Sequence, residues 1–380
     1  MNETEIKAAS AAFEQLLREQ LRRQERMAEG ASPRDWACAE KIVIGVVGGD
    51  GIGPIIVRQA RRVLEKLLAE ELAAGRAELR DIEGLTLENR MAQGKAVPEE
   101  VLEQIRACDV LLKGPTTTPK GGTLESANVT LRRELDLYAN VRPVSIPEQG
   151  VDWIFFRENT EGEYALGSRG LEAPGELSMD FKVTTDAGTR RIARAAFGYA
   201  RANGKTNVAI VTKANIMKKT DGMFSRIAHE VAAEYPEITA EDWYIDIMAA
   251  NLVNPALRAK FQVFLLPNLY GDILTDEAAQ LQGGGGTAGS ANIGDRCAMF
   301  EAIHGSAPRK IEAGEGAYAN PASILKAAEM LLRHIAMPDK ADRLAAALDL
   351  CTQTERRVVV TGHRDGATCE AFADYLLEKL

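Results

Sequence analysis

The stretch IVIGVVGGDGIGP, Ile42 to Pro54, decides how the chain is read. An apolar run of strand type feeds straight into a glycine cluster, where a nucleotide-binding turn would sit. The dinucleotide fingerprint requires G-x-G-x-x-G between a strand and a helix. Here Gly49, Gly51 and Gly53 give G-x-G-x-G, one place short, and no acidic ribose ligand can be placed at the expected distance downstream. A tight strand-to-helix turn fits better, with Pro54 suited to the first helical turn. A second glycine feature, NGKT at Asn203 to Thr206, fails as a phosphate loop. Such a loop needs four residues between its glycines, and the Gly198–Gly204 spacing is too long.

Outward from that turn the pattern alternates. Ile42–Val47, Val110–Lys113, Val151–Phe156, Val208–Val211 and Gln262–Leu266 read as short buried strands. Helical stretches are expected between them, near 54–74, 126–137, 187–202, 218–234 and 272–282, and toward the end near 321–335, 340–352 and 370–380. Alternation of this kind implies an α/β protein with parallel strands. Residues 1–40 stand apart: Phe13, Leu17 and Leu21 recur every fourth residue beside Leu16, which predicts one amphipathic docking helix, broken near EGASP. The glycine run QGGGG, Gln282 to Gly286, reads as a local turn.

Composition narrows the classes. The chain has 380 residues, 46% of them hydrophobic, enough for a substantial core in two or three domains or one two-lobed unit. A net charge of -9 without a basic block argues against nucleic acid. No apolar run approaches the roughly 18 residues of a membrane span. Glu3, Glu5, Glu14 and Glu19 interrupt any signal or transit pattern. The scattered Cys38, Cys108, Cys297, Cys351 and Cys369 form no metal or disulfide framework, so a reducing cytoplasm is expected.

Charged residues concentrate at the ends of apolar runs. In NLYGDILTDEAAQ, Asp272 and Asp276 are one helical turn apart and share a face. Two converging carboxylates repel unless a cation separates them, and hard oxygen ligands suit Mg²⁺ or Mn²⁺. Helix capping by Asp272, with Asp276 merely solvated, is the competing reading. In ESANVTLRRELDLYANVRP, Ser126, Asn128 and Arg132 fall on adjacent turns, Arg142 follows, and Arg157 closes VDWIFF. Three arginines aimed at one cleft would bind a small polycarboxylate through paired hydrogen bonds; a salt-bridged surface helix is the alternative and suits Arg133 best. Lys213 lies just past a strand, where partial desolvation could bring a lysine toward a base's role, and Tyr164 could donate a proton.

Taken together, GGDGIGP, KGPTTTP, SANVTLRRELDLYANVRP, FRENTEGEY, KANIMKKTDG, PNLYGDILTD, SANIGD, FEAIHGSAP and YANP resemble, in order, the isocitrate and 3-isopropylmalate dehydrogenases, a family of metal-dependent β-decarboxylating dehydrogenases. The resemblance runs from about Lys41 to the C-terminus. It implies a two-lobed, non-Rossmann α/β fold with the active-site cleft between a large and a small domain. Its divisions would be an N-terminal helical extension (1–40), a large cofactor-binding domain (41–137 and 289–380) and a small substrate and dimerisation domain (138–288). GGDGIGP then becomes a structural turn near the nucleotide site. Ser126, Asn128, Arg132, Arg142 and Arg157 match substrate-carboxylate binders, Tyr164 the tyrosine that protonates the enolate, and Lys213 the base on the C2 hydroxyl. Asp246, Asp272 and Asp276 match metal ligands for Mg²⁺ or Mn²⁺. Thr117, Thr118, Asn215, Glu301, His304, Gly305, Ala307, Arg309 and Asn320 match cofactor contacts. Lys213 and Asp246 come from the neighbouring subunit in this family, so a homodimer is implied.

The polar Ser126-Ala127-Asn128 stands where isopropylmalate enzymes carry apolar residues, so isocitrate leads, with homoisocitrate the main rival and isopropylmalate or tartrate-like acids behind. Buried polar groups left unpaired by an apolar substituent would be costly. NAD and NADP both stay open: Arg309 and Lys310 suit a 2′-phosphate, but Gly362 stands near the place of other residues NADP enzymes use. A non-catalytic regulatory subunit is the alternative of another class; Lys213, Tyr164, Asp246, Asp272 and Asp276 are all present, which favours an enzyme.

Overall fold

The apolar runs form the strands Ile42–Val47, Val110–Lys113, Val151–Glu158, Asn207–Thr212 and Val263–Leu266. They belong to a computed structural model that describes residues 3–28, 34–119, 124–166, 169–173, 176–284 and 288–380. The expected break at EGASP and the end of the QGGGG run lie outside the described residues. The chain divides into two units. The first comprises Met1–Ser32, Tyr138–Asn140 and Ser145–Ala278; the second comprises Pro33–Leu137, Val141–Val144 and Ala279–Leu380.

In the second unit the strand neighbours run Ala77–Ile82, Ile42–Val47, Val110–Lys113, Ala298–Ala302 and Gly289–Ile293. The first four are parallel; the last pairs antiparallel, in the register Ser290 to Glu301. That antiparallel pair departs from the all-parallel expectation. A short turn at SANIGD reverses the chain where a crossover helix would otherwise be needed. Val47, Leu111, Leu131, Leu137 and Met299 belong to one buried apolar cluster. In the first unit Val151–Glu158, Val263–Leu266, Asn207–Thr212 and Thr239–Tyr244 are neighbours in that order, all parallel. Trp153, Phe155 and Phe264 pack there ring to ring, Phe155 and Phe264 stacked at 4.3 Å.

Several helices start or stop away from the expected positions. The stretch expected as one helix over 54–74 is two, Gly53–Leu67 and Ala69–Ala73, with Pro54 in the first turn. The helix expected at 272–282 begins earlier, at Asn268, and runs to Leu281. Asp272 is therefore inside the helix, which removes the capping reading for it.

The N-terminal segment forms one helix, Glu3–Ala28. It docks, but the stripe that periodicity marks is only partly covered: Phe13, Leu17 and Leu21 are about half exposed, while the neighbouring Leu16 is 7% exposed. Its contacts within the first unit include the Phe13–Phe181 rings at 5.3 Å, Arg169 to Glu19 at 2.5 Å, and Arg23 to Glu161 at 3.1 Å. Among the described residues no helix is long and apolar enough to cross a membrane.

Candidate active site

Parallel strands gather the loops at their C-terminal ends, and ligands of open α/β sheets bind there. In the second unit Ile42–Val47 runs into GGDG, Val110–Lys113 into GPTTT, and Ala298–Ala302 into IHGSAP. These three loops are bonded to one another. Asp50 accepts the Thr117 amide at 2.8 Å and the Leu87 amide at 2.6 Å, and its own amide donates to the Pro115 carbonyl. The Ile52 amide donates to the Ser306 carbonyl, and the Thr117 and Ser306 hydroxyls meet at 2.6 Å. Gly49 and Gly51 are glycine because their φ angles are 73° and 58°, and a Cβ would lie 2.3 Å from the Pro115 carbonyl or 2.0 Å from that of Ser306. The glycine turn thus braces two neighbouring loops. Arg90, fully buried, donates to the carbonyls of Ala96, Thr117 and Glu125 and steadies the same region.

Beside these loops lies a buried carboxylate, Glu301, 4% exposed. It accepts from Lys113 at 3.1 Å, Arg132 at 3.3 Å, Asn292 at 2.8 Å and Asn128 at 3.3 Å. Burial alone would raise its pKa; the charges of Lys113 and Arg132 outweigh that and hold it down at about 2. Desolvation pulls Lys113 toward the neutral amine, but an ammonium facing an ionised carboxylate is the arrangement this geometry favours. Asn128 is fixed at both ends, since Thr116 donates to its Oδ1 at 3.1 Å. Ser126 occupies the N-cap of the helix Ala127–Glu134 without a capping hydrogen bond to that helix. Arg142 is buried on the strand Ala139–Ile146.

Thr118, Gly305 and Arg309 are exposed. Ala307 has a φ of 46°, a left-handed conformation unusual for a residue with a Cβ, and precedes the short helix Pro308–Glu312. His304, whose pKa burial lowers, hydrogen-bonds with the Gly305 carbonyl at 3.1 Å. Asn320 accepts the Ala322 amide at 2.9 Å. Lys310 donates to the Gly362 carbonyl, so its ammonium is engaged within the unit.

In the first unit the strand ends carry the remaining candidates. Arg157 closes Val151–Glu158, 1% exposed, and donates to Asn268 Oδ1 through Nε at 3.1 Å and Nη2 at 2.6 Å; Nη1 pairs with Asp272. Tyr164 Oη donates to Asp272 Oδ2 at 2.9 Å. Asp276, one turn on, is exposed. Lys213 follows Asn207–Thr212 and pairs with Asp246 at 2.6 Å; its amide donates to Asp221 at 2.7 Å. The hydrogen bond from Lys213 is the main reason the Asp246 pKa is lowered. Lys213, expected in partly desolvated surroundings, thus faces a carboxylate and, at 5.8 Å, the Tyr244 ring. Asn215 is exposed in the turn that follows.

The fold therefore brings Arg157, Tyr164 and Asp272 together, Lys213 and Asp246 together, and Asn128, Arg132 and Glu301 together. It does not bring Asp246 to Asp272 and Asp276: among the described residues no three potential metal ligands converge. By donor chemistry, two hard carboxylates one helical turn apart still suit a divalent cation needing further ligands. Sequence reasoning passed over Lys113, Asp50, Asn268 and Asn292. The signal for Lys113 was its charge at the end of an otherwise apolar four-residue strand; Asp50, Asn268 and Asn292 lie inside the quoted motifs, but their partners are set by the fold.

Comparison with known proteins places these loops in context. The family model described as isocitrate/isopropylmalate dehydrogenase matches residues 43–374. The chain is 39% identical over 311 residues to the NAD isocitrate dehydrogenase subunit 2, mitochondrial, of Schizosaccharomyces pombe, covering 80% of this chain and 79% of that one. It is 40% identical to the NADP isocitrate dehydrogenase of Thermus thermophilus, covering 89% and 68%. It is 43% identical to the chloroplastic 3-isopropylmalate dehydrogenase of Solanum tuberosum, covering 79% and 82%. The crystal structure of isocitrate dehydrogenase from Methylococcus capsulatus superposes with a TM-score of 0.78 at 35% identity, covering 89% and 99%.

Proposed function

The chain belongs to the isocitrate/isopropylmalate dehydrogenase family, and from that premise we infer that it is an NAD(P)-dependent isocitrate dehydrogenase, converting isocitrate to 2-oxoglutarate and CO₂. The observation that carries the choice of substrate is the polar face at the start of Ala127–Glu134. Ser126, Asn128 and Arg132 offer hydroxyl, amide and guanidinium, and Glu301 orients two of the three. An isopropyl group there would face carbon to the Ser126 hydroxyl and to the buried Arg132 Nε, which has no partner of its own, whereas a carboxylate can accept from them.

Arg132, Arg142 and Arg157 bind the substrate carboxylates. Lys213, steadied by Asp246, accepts the C2 hydroxyl proton as hydride leaves C2. Tyr164, held by Asp272, returns a proton to C3 after CO₂ departs. Asp272 and Asp276 would hold Mg²⁺ or Mn²⁺, with Asp246 of a second copy, and Thr117, Thr118, His304, Ala307, Arg309 and Asn320 would border NAD(P). The bound cation supplies Lewis-acid polarisation and the nicotinamide the hydride acceptor. A homodimer sharing its sites is supported by the surface around the Lys213–Asp246 pair, where Ile216, Met217, Tyr244 and Ile247 are exposed.

The test follows reduced nicotinamide with isocitrate, homoisocitrate and 3-isopropylmalate, each with NAD and NADP, with and without Mg²⁺. Metal-dependent turnover of isocitrate above the other acids is expected, and the NADP-to-NAD ratio reads whether Arg309 meets a 2′-phosphate. Preference for another acid would overturn the reading of Ser126 and Asn128. Silence on all three would leave a regulatory subunit.

A further inference from the structure

Behind Arg157 the chain turns through Glu158–Glu161, and this turn buries two carboxylates, Glu158 at 2% and Glu161 at 3% exposure. Glu158 accepts the amides of Thr160 and Glu161, at 2.9 and 2.6 Å, and the Thr160 hydroxyl at 2.7 Å. Glu161 accepts the Thr185 amide at 2.9 Å and the Thr185 hydroxyl, at the N-terminus of the helix Asp186–Ala202. Gly188 leaves room for it: a Cβ there would fall 2.4 Å from the carboxylate. Two like charges packed this closely out of water need a cation.

Part of that cation comes from far away in sequence. Arg23, on the helix Glu3–Ala28, places Nη1 3.1 Å from Glu161 Oε1 and donates from Nη2 to the Thr160 hydroxyl at 2.9 Å, the hydroxyl that in turn donates to Glu158. Arg191, from Asp186–Ala202, donates to the same hydroxyl at 3.1 Å. The turn is mechanically tied to the proposed substrate side chains. Asn268 donates to the Glu161 carbonyl at 3.1 Å while its Oδ1 holds the Arg157 guanidinium, and Gly162 is bridged to Val183 just before Tyr164.

We propose that Arg23 is a positioning residue: its guanidinium offsets the buried Glu158–Glu161 pair and thereby holds the turn that sets Arg157 and Tyr164. The helix Glu3–Ala28 then has a task beyond docking. The inference rests on the roles assigned above to Arg157 and Tyr164. The charges acting on Glu158 include Glu161 on its own turn and Arg23 on the N-terminal helix; Arg191, on Asp186–Ala202, meets the turn at the Thr160 hydroxyl, and Asn268 meets it uncharged at the Glu161 carbonyl. Burial, then the Glu161 charge, pushes Glu158 up to about 7. Below that pH a proton on Glu158 relieves the pair and Arg23 matters less; above it the repulsion is left for Arg23 and Arg191 to offset.

The test compares Arg23→Met, Arg23→Lys and the wild-type chain in isocitrate turnover from pH 6 to 9. In Arg23→Met, kcat is expected to fall and KM to rise, about tenfold together at the alkaline end, with the deficit shrinking toward pH 6. Arg23→Lys should recover most of it. A deficit independent of pH, no deficit, or a lysine variant as poor as the methionine one would overturn the proposal. If Arg23→Met fails to fold, Arg23→Gln is carried through the same series. Amide hydrogen exchange at Thr160 and Glu161 separates this inference from the enzymatic reading. Were the wild-type chain silent on isocitrate, that reading alone would fail. Faster exchange in Arg23→Met would still support the restraint on the turn, and unchanged exchange would overturn it.

Discussion

Carboxylates occupy two kinds of place here. On Asn268–Leu281, Asp272 and Asp276 look outward from a helix at a strand end, Asp276 exposed and Asp272 partly so. On Ala298–Ala302, Glu301 is sealed among two cations and two amides. An exposed acid costs little to present: Asp276 faces solvent, while Asp272 already accepts from Arg157 and Tyr164, so a cation there would share its oxygens with them. A buried acid survives only when its partners are complete, and in return it fixes the rotamers of everything it touches. The first kind is suited to chemistry, the second to holding Arg132 and Asn128 in place.

The contrast can be broken by substitution, and the largest effects should come from the outward groups. Lys213→Met removes the proposed base and is expected to lower kcat by about 10² to 10⁴. Its melting temperature should hardly move, because the Asp246 partner is mostly exposed and solvent screens such a pair. Full retention of isocitrate oxidation would show that another group takes the proton. Asp276→Asn is expected to cost a comparable factor, about 10² or more, with a raised Mg²⁺ requirement read by titrating the metal against rate. A large fall in melting temperature instead would place Asp276 among the structural acids.

Glu301→Gln should behave oppositely. Leaving Lys113 and Arg132 without their counter-charge is expected to cost about 3 kcal/mol in urea unfolding, with a severalfold rise in KM and a smaller change in kcat. The acid limb sharpens the same point. Glu301 is depressed from 4.5 to about 2 in the folded chain. Its contribution is therefore fully present above about pH 4.5 and is lost as pH falls toward 2. The wild-type advantage over Glu301→Gln should shrink across that window, and a gap constant with pH would mean that packing, not charge, accounts for the loss.

Local pattern was enough to identify the strands, because a buried parallel strand is a short apolar run between polar loops. It was also enough to reject the dinucleotide fingerprint, since glycine spacing is a property of the sequence itself. The nine motifs, in order, were legible as a family, and Asp272 and Asp276 as a shared helical face. What the sequence could not settle depended on distant partners. Phe13, Leu17 and Leu21 mark an apolar stripe, yet the helix Glu3–Ala28 leaves that stripe about half exposed, buries the neighbouring Leu16 and reaches inward with Arg23. Glu301 reads as one acid in FEAIHGSAP, and only folding surrounds it with Lys113, Asn128, Arg132 and Asn292. Periodicity reports the faces an element possesses. Which face is used, and which buried charge meets its counter-charge, is decided when strands far apart in sequence become neighbours in the fold.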